Sequence, residues 1–489
     1  MQSFTSFHYE RHRPEKTLLY RIVEKHYPLF LSHLSDLGKS LPNYVEQTFE
    51  DYLTCGRLEH GFLRVRCDSC QAEKLVAFSC KRRGFCPSCS ARRMVDSTAW
   101  LMDEILPDQP HRQWVLSVPY PLRWLFARMP EVMGKALSII TRVISHFLIK
   151  KAGQTHRTAK TGSVTLIQRF GSALNLNVHF HMLFLDGVYI TSGSQPVFIR
   201  TKAPTVQECA KLVHKISVRV ARMLERCGLI KADQDNTYLN FDGIEQDGLS
   251  DLQDCSISYR IAMGPQAGQK VLTLQTLPPK PQGDSSKSLV GKVPGFSLHA
   301  GVAARSDQRW KVERLCRYIT RLPVSEERVS LTEQGKVRYE LKTPYRDGTT
   351  HVVFEPLDFI SRLAALVPKP RVNMTRFHGV YAPNSKLRKL IIGADKIKVK
   401  NKKAKTNDDR TDDCRRTAMT WARRLKRVFN IDISVCSHCG GKVRVIACIE
   451  DPNVINTILK HLEAKSSHEK QAAAIGLPPS RSPPQLTLL

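Results

Sequence analysis

The sequence predicts an α+β protein on three observations: a β hairpin near mid-chain, amphipathic helical stretches on both sides of it, and a small β meander further on. The 489 residues are 42% hydrophobic and 8% aromatic, which is the composition of a folded globular chain with room for about two to four domains.

Taken in order, residues 1 to about 54 read as helical, because Leu18, Leu19, Ile22, Tyr27, Phe30, Leu31 and Leu34 recur at three- and four-residue spacings. A cysteine-rich module follows. Trp114–Val118 reads as a strand, and Pro121 opens a helical stretch to about Lys151, punctuated by Pro130. Ser163–Phe170 and Leu176–Tyr189 form the hairpin around Gly171–Asn175. A helix over 205–227 comes next, then a Pro/Gly/Ser-rich flexible loop over 279–295. Phe296–Val302 reads as a strand, Asp307–Arg321 as a helix stopped by Leu322-Pro323, and Arg328–Phe354 as the meander. Lysine and arginine dominate 395–427, a linker that becomes a helix with Trp421, Leu425 and Val428 on one side, and the Ser/Pro-rich tail 465–489 reads as disordered. There is no internal repeat.

Lysine plus arginine number 75 against 45 acidic residues, a net charge of +30. Such an excess implies a polyanionic partner. The bases are spread along the chain and no apolar run reaches about 18 residues, so nucleic acid is expected rather than a membrane. The N-terminus carries no secretion-signal pattern, and a cytoplasmic location is expected. Of fourteen cysteines, six lie between Cys55 and Cys89 and three between Cys436 and Cys448. In a reducing compartment such clusters suggest metal ligation. Cys67-x-x-Cys70 and Cys86-x-x-Cys89, 15 residues apart, fit two knuckles sharing one tetrahedral Zn²⁺, with Cys55 and Cys80 left over. Cys436 and Cys439 form half of a second site, for which Cys448, His438, Cys414 and His461 are candidate completions. Arg82, Arg83, Arg92 and Arg93 around the first module suit DNA phosphates.

His179 and His181, two apart on an apolar strand, point their imidazoles to one face, a metal-binding geometry. By itself such a pair is as readily explained by hydrogen bonds inside a core. A hairpin loop centred between Ala173 and Leu174 sets Gln168 across from His179 as a third ligand, and His299 on Ser297–Gly301 competes for that role. Tyr318 is a candidate nucleophile. Arg317 and Arg321 beside it would favour the phenolate and offset charge on phosphoryl oxygens; the alternative is a core tyrosine among Leu315, Ile319 and Leu322.

Four segments together, QRFGSALNLNVHFHMLFLDGVY, ERLCRYITRLP, DGTTHVVFEPLDFISRLAALVPKPR and the CDSC…CPSC module, resemble the rolling-circle transposases of the insertion-sequence ninety-one type. The resemblance covers about residues 10 to 460. It implies a central antiparallel sheet with packed helices and a His-hydrophobe-His endonuclease in which His179 and His181 hold Mg²⁺ or Mn²⁺ and Tyr318 attacks one DNA strand, leaving a 5′-phosphotyrosine. The expected organisation is a helical, zinc-binding and DNA-binding domain over 1–110, the endonuclease over 111–325, its completion over 326–395, and a small basic C-terminal domain with the Cys436 knuckle over 396–464. Expected partners are single-stranded ends of a mobile element and target DNA in the nucleoid. Some members carry two tyrosines four apart, but Arg314 stands four before Tyr318, so the second cleavage would reuse Tyr318, recruit a second subunit of a homodimer, or use the freed 3′-OH. The competing readings are a replication initiator or relaxase, and a zinc-dependent DNA-binding regulator without nuclease activity.

Overall fold

The computed structural model describes residues 13–191, 193, 195–232, 237–240, 247–279, 289–392 and 435–474. The whole basic segment 395–427 with Cys414 and the helix expected around Trp421, Leu425 and Val428, much of the 279–295 loop and the end of the tail lie outside these. The described helices begin with α1 (Leu18–Asp36), α2 (Asn43–Thr54) and α3 (Pro87–Trp100). Then come α4 (Tyr120–Arg128) and α5 (Pro130–Lys151), which Pro130 separates by supplying the first residue of the second helix. The order continues with α6 (Val206–Arg226), α7 (Gly248–Ile257), α8 (Arg309–Ile319) and α9 (Pro356–Leu366). Thr205 and Glu208 close a reciprocal capping box at the start of α6, satisfying two otherwise orphaned backbone donors.

Six strands make the central sheet, in the order Val290–Val293, Phe296–Ala304, His111–Ser117, Leu176–Leu185, Gly162–Phe170 and Thr375–Gly379. Every neighbouring pair is antiparallel. Alternation along these strands produces two apolar faces. Trp114, Leu116, Val178, Phe180, Met182 and Phe184 pack with α4, α5 and α6 into the main core. Val164, Leu166, Leu183 and Leu185 face the other way, against Val312, Cys316 and Ile319 of α8. The sheet is therefore sandwiched, and the fold is α+β as the sequence predicts. α5 is long and apolar enough to cross a membrane, yet most of that stretch is buried in the main core.

A second core interleaves distant segments. It joins α1, α2 and α9 to the meander strands Val329–Leu331, Val337–Glu340 and Thr349–Phe354, and takes in Ala173 and Leu174 from the hairpin tip. Leu174 adopts φ 56°, uncommon for a residue with a side chain, and its full burial in this core offsets that strain. The packing units thus cross the sequence divisions expected at 110 and 325.

Several elements differ from their sequence-based bounds, three of them as follows. The second hairpin strand stops at Leu185, and Gly187–Ile190 pairs instead with Val197–Arg200 and Ala159–Lys160. The cause is Asp186, whose buried carboxylate takes two hydrogen bonds from Arg112 at 2.8 and 2.9 Å and turns the chain away. α8 ends at Ile319 rather than Arg321. The helix Pro452–Ala474 runs ten residues into the expected tail.

Arg112 also donates to the Ala300 carbonyl at 2.9 Å, so one buried guanidinium ties three sheet strands together at one end. Removing one partner leaves the other charge buried and unpaired. Asp186→Ala is expected to lower the unfolding free energy by about 3–5 kcal/mol in urea titrations; a change within experimental scatter would contradict this role.

Candidate functional site

The hairpin register places Gln168 directly opposite His179 and Leu166 opposite His181. Both imidazoles and the Gln168 side chain therefore share the sheet face that α8 covers. His179 donates from Nδ1 to its own strand, to the Asn177 carbonyl at 2.8 Å, which leaves Nε2 with a free lone pair. The carboxamide of Gln113, on the neighbouring strand, lies 2.8 Å from His181 Nδ1. As placed, Gln113 donates from Nε2 to His181 Nδ1; a metal at His181 Nε2 requires the carboxamide turned over, so that its oxygen accepts the Nδ1 proton. His181 Nε2 and Gln168 Oε1 are both buried without a hydrogen-bond partner among the described residues. Burial first, and then Arg321 among its neighbours, holds His179 down to about 4, while burial and then His179 and Arg321 hold His181 down to about 2. Both rings are thus neutral at physiological pH, as metal ligation requires. His299 pairs with Val115, which in turn pairs with His181, so a whole strand separates it from the pair.

Tyr318 sits on the last turn of α8, its ring edge-on to His181 with centroids 6.0 Å apart. It is 39% exposed. Val312, Cys316 and Ile319 anchor the helix to the sheet, and Gln168 Nε2 donates to the Ile319 carbonyl at 2.7 Å, satisfying a helix-end acceptor. One glutamine thus fixes the tyrosine helix through its nitrogen and offers its oxygen beside the histidines. Arg321 lies beyond the helix end and folds over the Tyr318 ring at 4.5 Å, with Lys342 at 4.8 Å. Arg317 instead pairs with Glu313 at 2.7 Å, one turn back. Lys342 and Gln113 have no motif in the sequence, although Gln113 is a polar interruption on the same strand face as Val115.

The described cysteines form two separate groups of four, with all sulfurs in each group within 4.8 Å of one another: Cys55, Cys80, Cys86 and Cys89, and Cys67, Cys70, Cys436 and Cys439. A sulfur tetrahedron about 2.3 Å from a zinc ion has edges of about 3.8 Å. The close pairs approach this spacing, at 3.6 Å for Cys55–Cys89, 3.4 Å for Cys80–Cys89, 3.5 Å for Cys67–Cys439 and 3.6 Å for Cys70–Cys436. This corrects the expected pairing of Cys67 and Cys70 with Cys86 and Cys89. The physical reason is strand pairing: Phe62–Cys67 takes Glu73–Ala77 on one edge and Val443–Ile449 on the other, bringing the Cys436 knuckle onto the Cys67 knuckle. Equivalent turns follow each pair, with Gln71 at φ 59° and Gly440 at φ 76°. In each group two thiols are drawn down: Cys67, to about 6, first by a backbone hydrogen bond from Cys70, with Cys436, first by a backbone hydrogen bond from His438; and Cys89, first by Cys55, with Cys55, first by Cys80. Cys448, a candidate completion of the second site, is exposed beside Glu450 instead.

Residues 162–389 match the Y2_Tnp transposase family model, and residues 22–118 match the zinc-binding domain model of IS91 transposases, together about two thirds of the chain. The chain is a transposase of the insertion-sequence ninety-one type. No curated protein and no solved structure matches it. The transposase acts on DNA, and the zinc of its cysteine groups is structural.

Several arginines beside the zinc module serve the transposase internally. Arg82 pairs with Asp51, Arg83 donates to the carbonyls of Val372 and Lys369, and Arg93 donates to those of Lys81 and Arg82. Arg92, half-buried on α3, also has a partner within the protein.

The grouping has a direct consequence for metal content. Cys436→Ser with Cys439→Ser is expected to reduce bound zinc from about two ions per chain to about one, read by elemental analysis. Retention of the full content would favour the Cys67/Cys70/Cys86/Cys89 set.

Proposed function

We propose that the transposase nicks and joins single DNA strands, with Tyr318 as nucleophile and His179, His181 and Gln168 as the ligands of a divalent cation, in a rolling-circle mechanism. The observation that carries this reading is the edge-on packing of Tyr318 against His181 on a sheet face that presents two neutral imidazoles and a buried, unpartnered amide oxygen. Two nitrogens and one oxygen suit Mn²⁺ at least as well as Mg²⁺, since imidazole is the softer donor. Bound there, such an ion would polarise the scissile phosphate and leave open positions for its oxygens.

The protein's own groups supply the rest. Tyr318 Oη loses its proton to the solvent at its exposed edge and attacks phosphorus; the P–O3′ bond breaks, and the leaving oxygen takes a proton to become a free 3′-OH. Arg321 and Lys342, beside the ring, offset the charge that builds up on the phosphoryl oxygens. The 5′-phosphotyrosine retains the bond energy, so attack by a 3′-OH rejoins strands without ATP. With Arg314 four before Tyr318, that hydroxyl or a second copy of the chain would complete the second transfer.

The test uses labelled single-stranded DNA from an element's ends with Mn²⁺, scored for an adduct that survives denaturation. Wild type should form it. Tyr318→Phe should lose it entirely while binding DNA within about 2-fold of wild type, since only the hydroxyl is removed. An adduct that persists in Tyr318→Phe assigns the nucleophile elsewhere, and binding without any adduct in wild type favours the regulator reading.

A further inference from the structure

A large cavity lies at the sheet edge, away from the histidines. It is a groove of about 940 Å³ between the start of α5 and the segment Lys369–Arg376. Lys135, Lys369, Arg371 and Arg376 line it, and none is ion-paired with a described residue. Arg128 also lines it but pairs with Asp247 at 2.8 Å, and Glu131 is the one acidic residue of the lining. The floor is open: a side chain added at Gly134 would meet nothing within 4 Å. No aromatic ring lines the groove, so it offers charge without a stacking surface.

The wall of the groove leads to the catalytic helix. Arg83 of the zinc module holds it through the Val372 and Lys369 carbonyls. Pro368, Met374 and Thr375 of the same segment line a cavity of about 150 Å³ together with Gln168, Ile319 and Arg321. Arg321 is the residue that covers the Tyr318 ring. Cations with no ion pair among the described residues, on a segment that also borders Gln168, Ile319 and Arg321, fit a flexible polyanion that runs on from the active site.

We propose that this groove holds the single DNA strand as it runs on from the active site, gripped by its phosphates at Lys135, Lys369 and Arg371 without reading its bases. The proposal rests on the nuclease reading above. It also gives the zinc module a role through Arg83, which fixes the groove wall and does not itself reach for phosphate.

The test measures binding in the Tyr318→Phe background, without divalent metal, by fluorescence anisotropy across a salt series. Two oligonucleotides are compared: a short one spanning only the scissile step, and one extended by about ten nucleotides on each side, longer than the site size of a typical single-strand groove. For the long one, Lys135→Ala/Lys369→Ala/Arg371→Ala should reduce the slope of log K against log salt by about 2, because each lost phosphate contact on a single strand contributes about 0.7. The slope for the short one should change much less. A control triple, Lys211→Ala/Lys215→Ala/Arg222→Ala on the exposed face of α6, removes equal charge and should leave both slopes intact. Unmoved melting temperatures guard against unfolding. An unchanged slope, an equal effect on both lengths, or an equal effect from the α6 control overturns the groove. Failure of the parent to bind either oligonucleotide overturns the nuclease reading itself, and the groove with it.

Discussion

The register of the hairpin that joins Gly162–Phe170 to Leu176–Leu185 is the constraint on which the rest of the site depends. Side chains alternate across a sheet with a period of two, so a slip of one residue would turn His179, His181 and Gln168 into the main core and send Val178 and Phe180 toward α8. The sequence defends that register twice. Val178, Phe180, Met182 and Phe184 are apolar without interruption on one face, and the hairpin tip is seated by Leu174 in a different core. Burial then suppresses the charge of the two imidazoles, and Gln113 and the Asn177 carbonyl orient their rings.

The tyrosine is positioned by the same hairpin. Gln168 caps the end of α8, so the distance between Tyr318 and the histidines is set by a hydrogen bond from the residue that faces His179. This economy explains why α8 stops at Ile319: its last carbonyl finds the glutamine, Thr320 turns back to the Cys316 carbonyl at 2.7 Å, and Arg321 leaves the helical path to cover the ring. Zinc acts at a distance from this chemistry. The two cysteine groups hold together a module whose Arg83 fixes the edge of the central sheet.

Much of this was legible in the sequence, and what was not has a common physical origin. Alternation revealed the histidine face, and counting back from the loop centre found Gln168, because both signals are local. The zinc pairing was hidden because its decisive contact joins residues 366 and 372 apart in the chain. Two clues were nonetheless present: Cys55 and Cys80 left without a role, and a Cys436 knuckle without a partner. Arg317 and Arg321 look equivalent beside Tyr318, but Glu313 lies one helical turn before Arg317 and captures it, whereas the helix end frees Arg321. Lys342 came from the meander, whose place against α8 no local pattern encodes. The basic residues near the zinc module suggested phosphate contacts from composition alone, and their carbonyl and carboxylate partners appeared only in three dimensions.

The most direct measurement of the central claim is anomalous scattering from crystals of Tyr318→Phe grown with Mn²⁺. The expected result is one catalytic-site peak about 2.1 Å from the Nε2 atoms of His179 and His181, with Gln168 Oε1 as the third protein ligand. A peak at His299, or no manganese on this face of the sheet, would contradict the account.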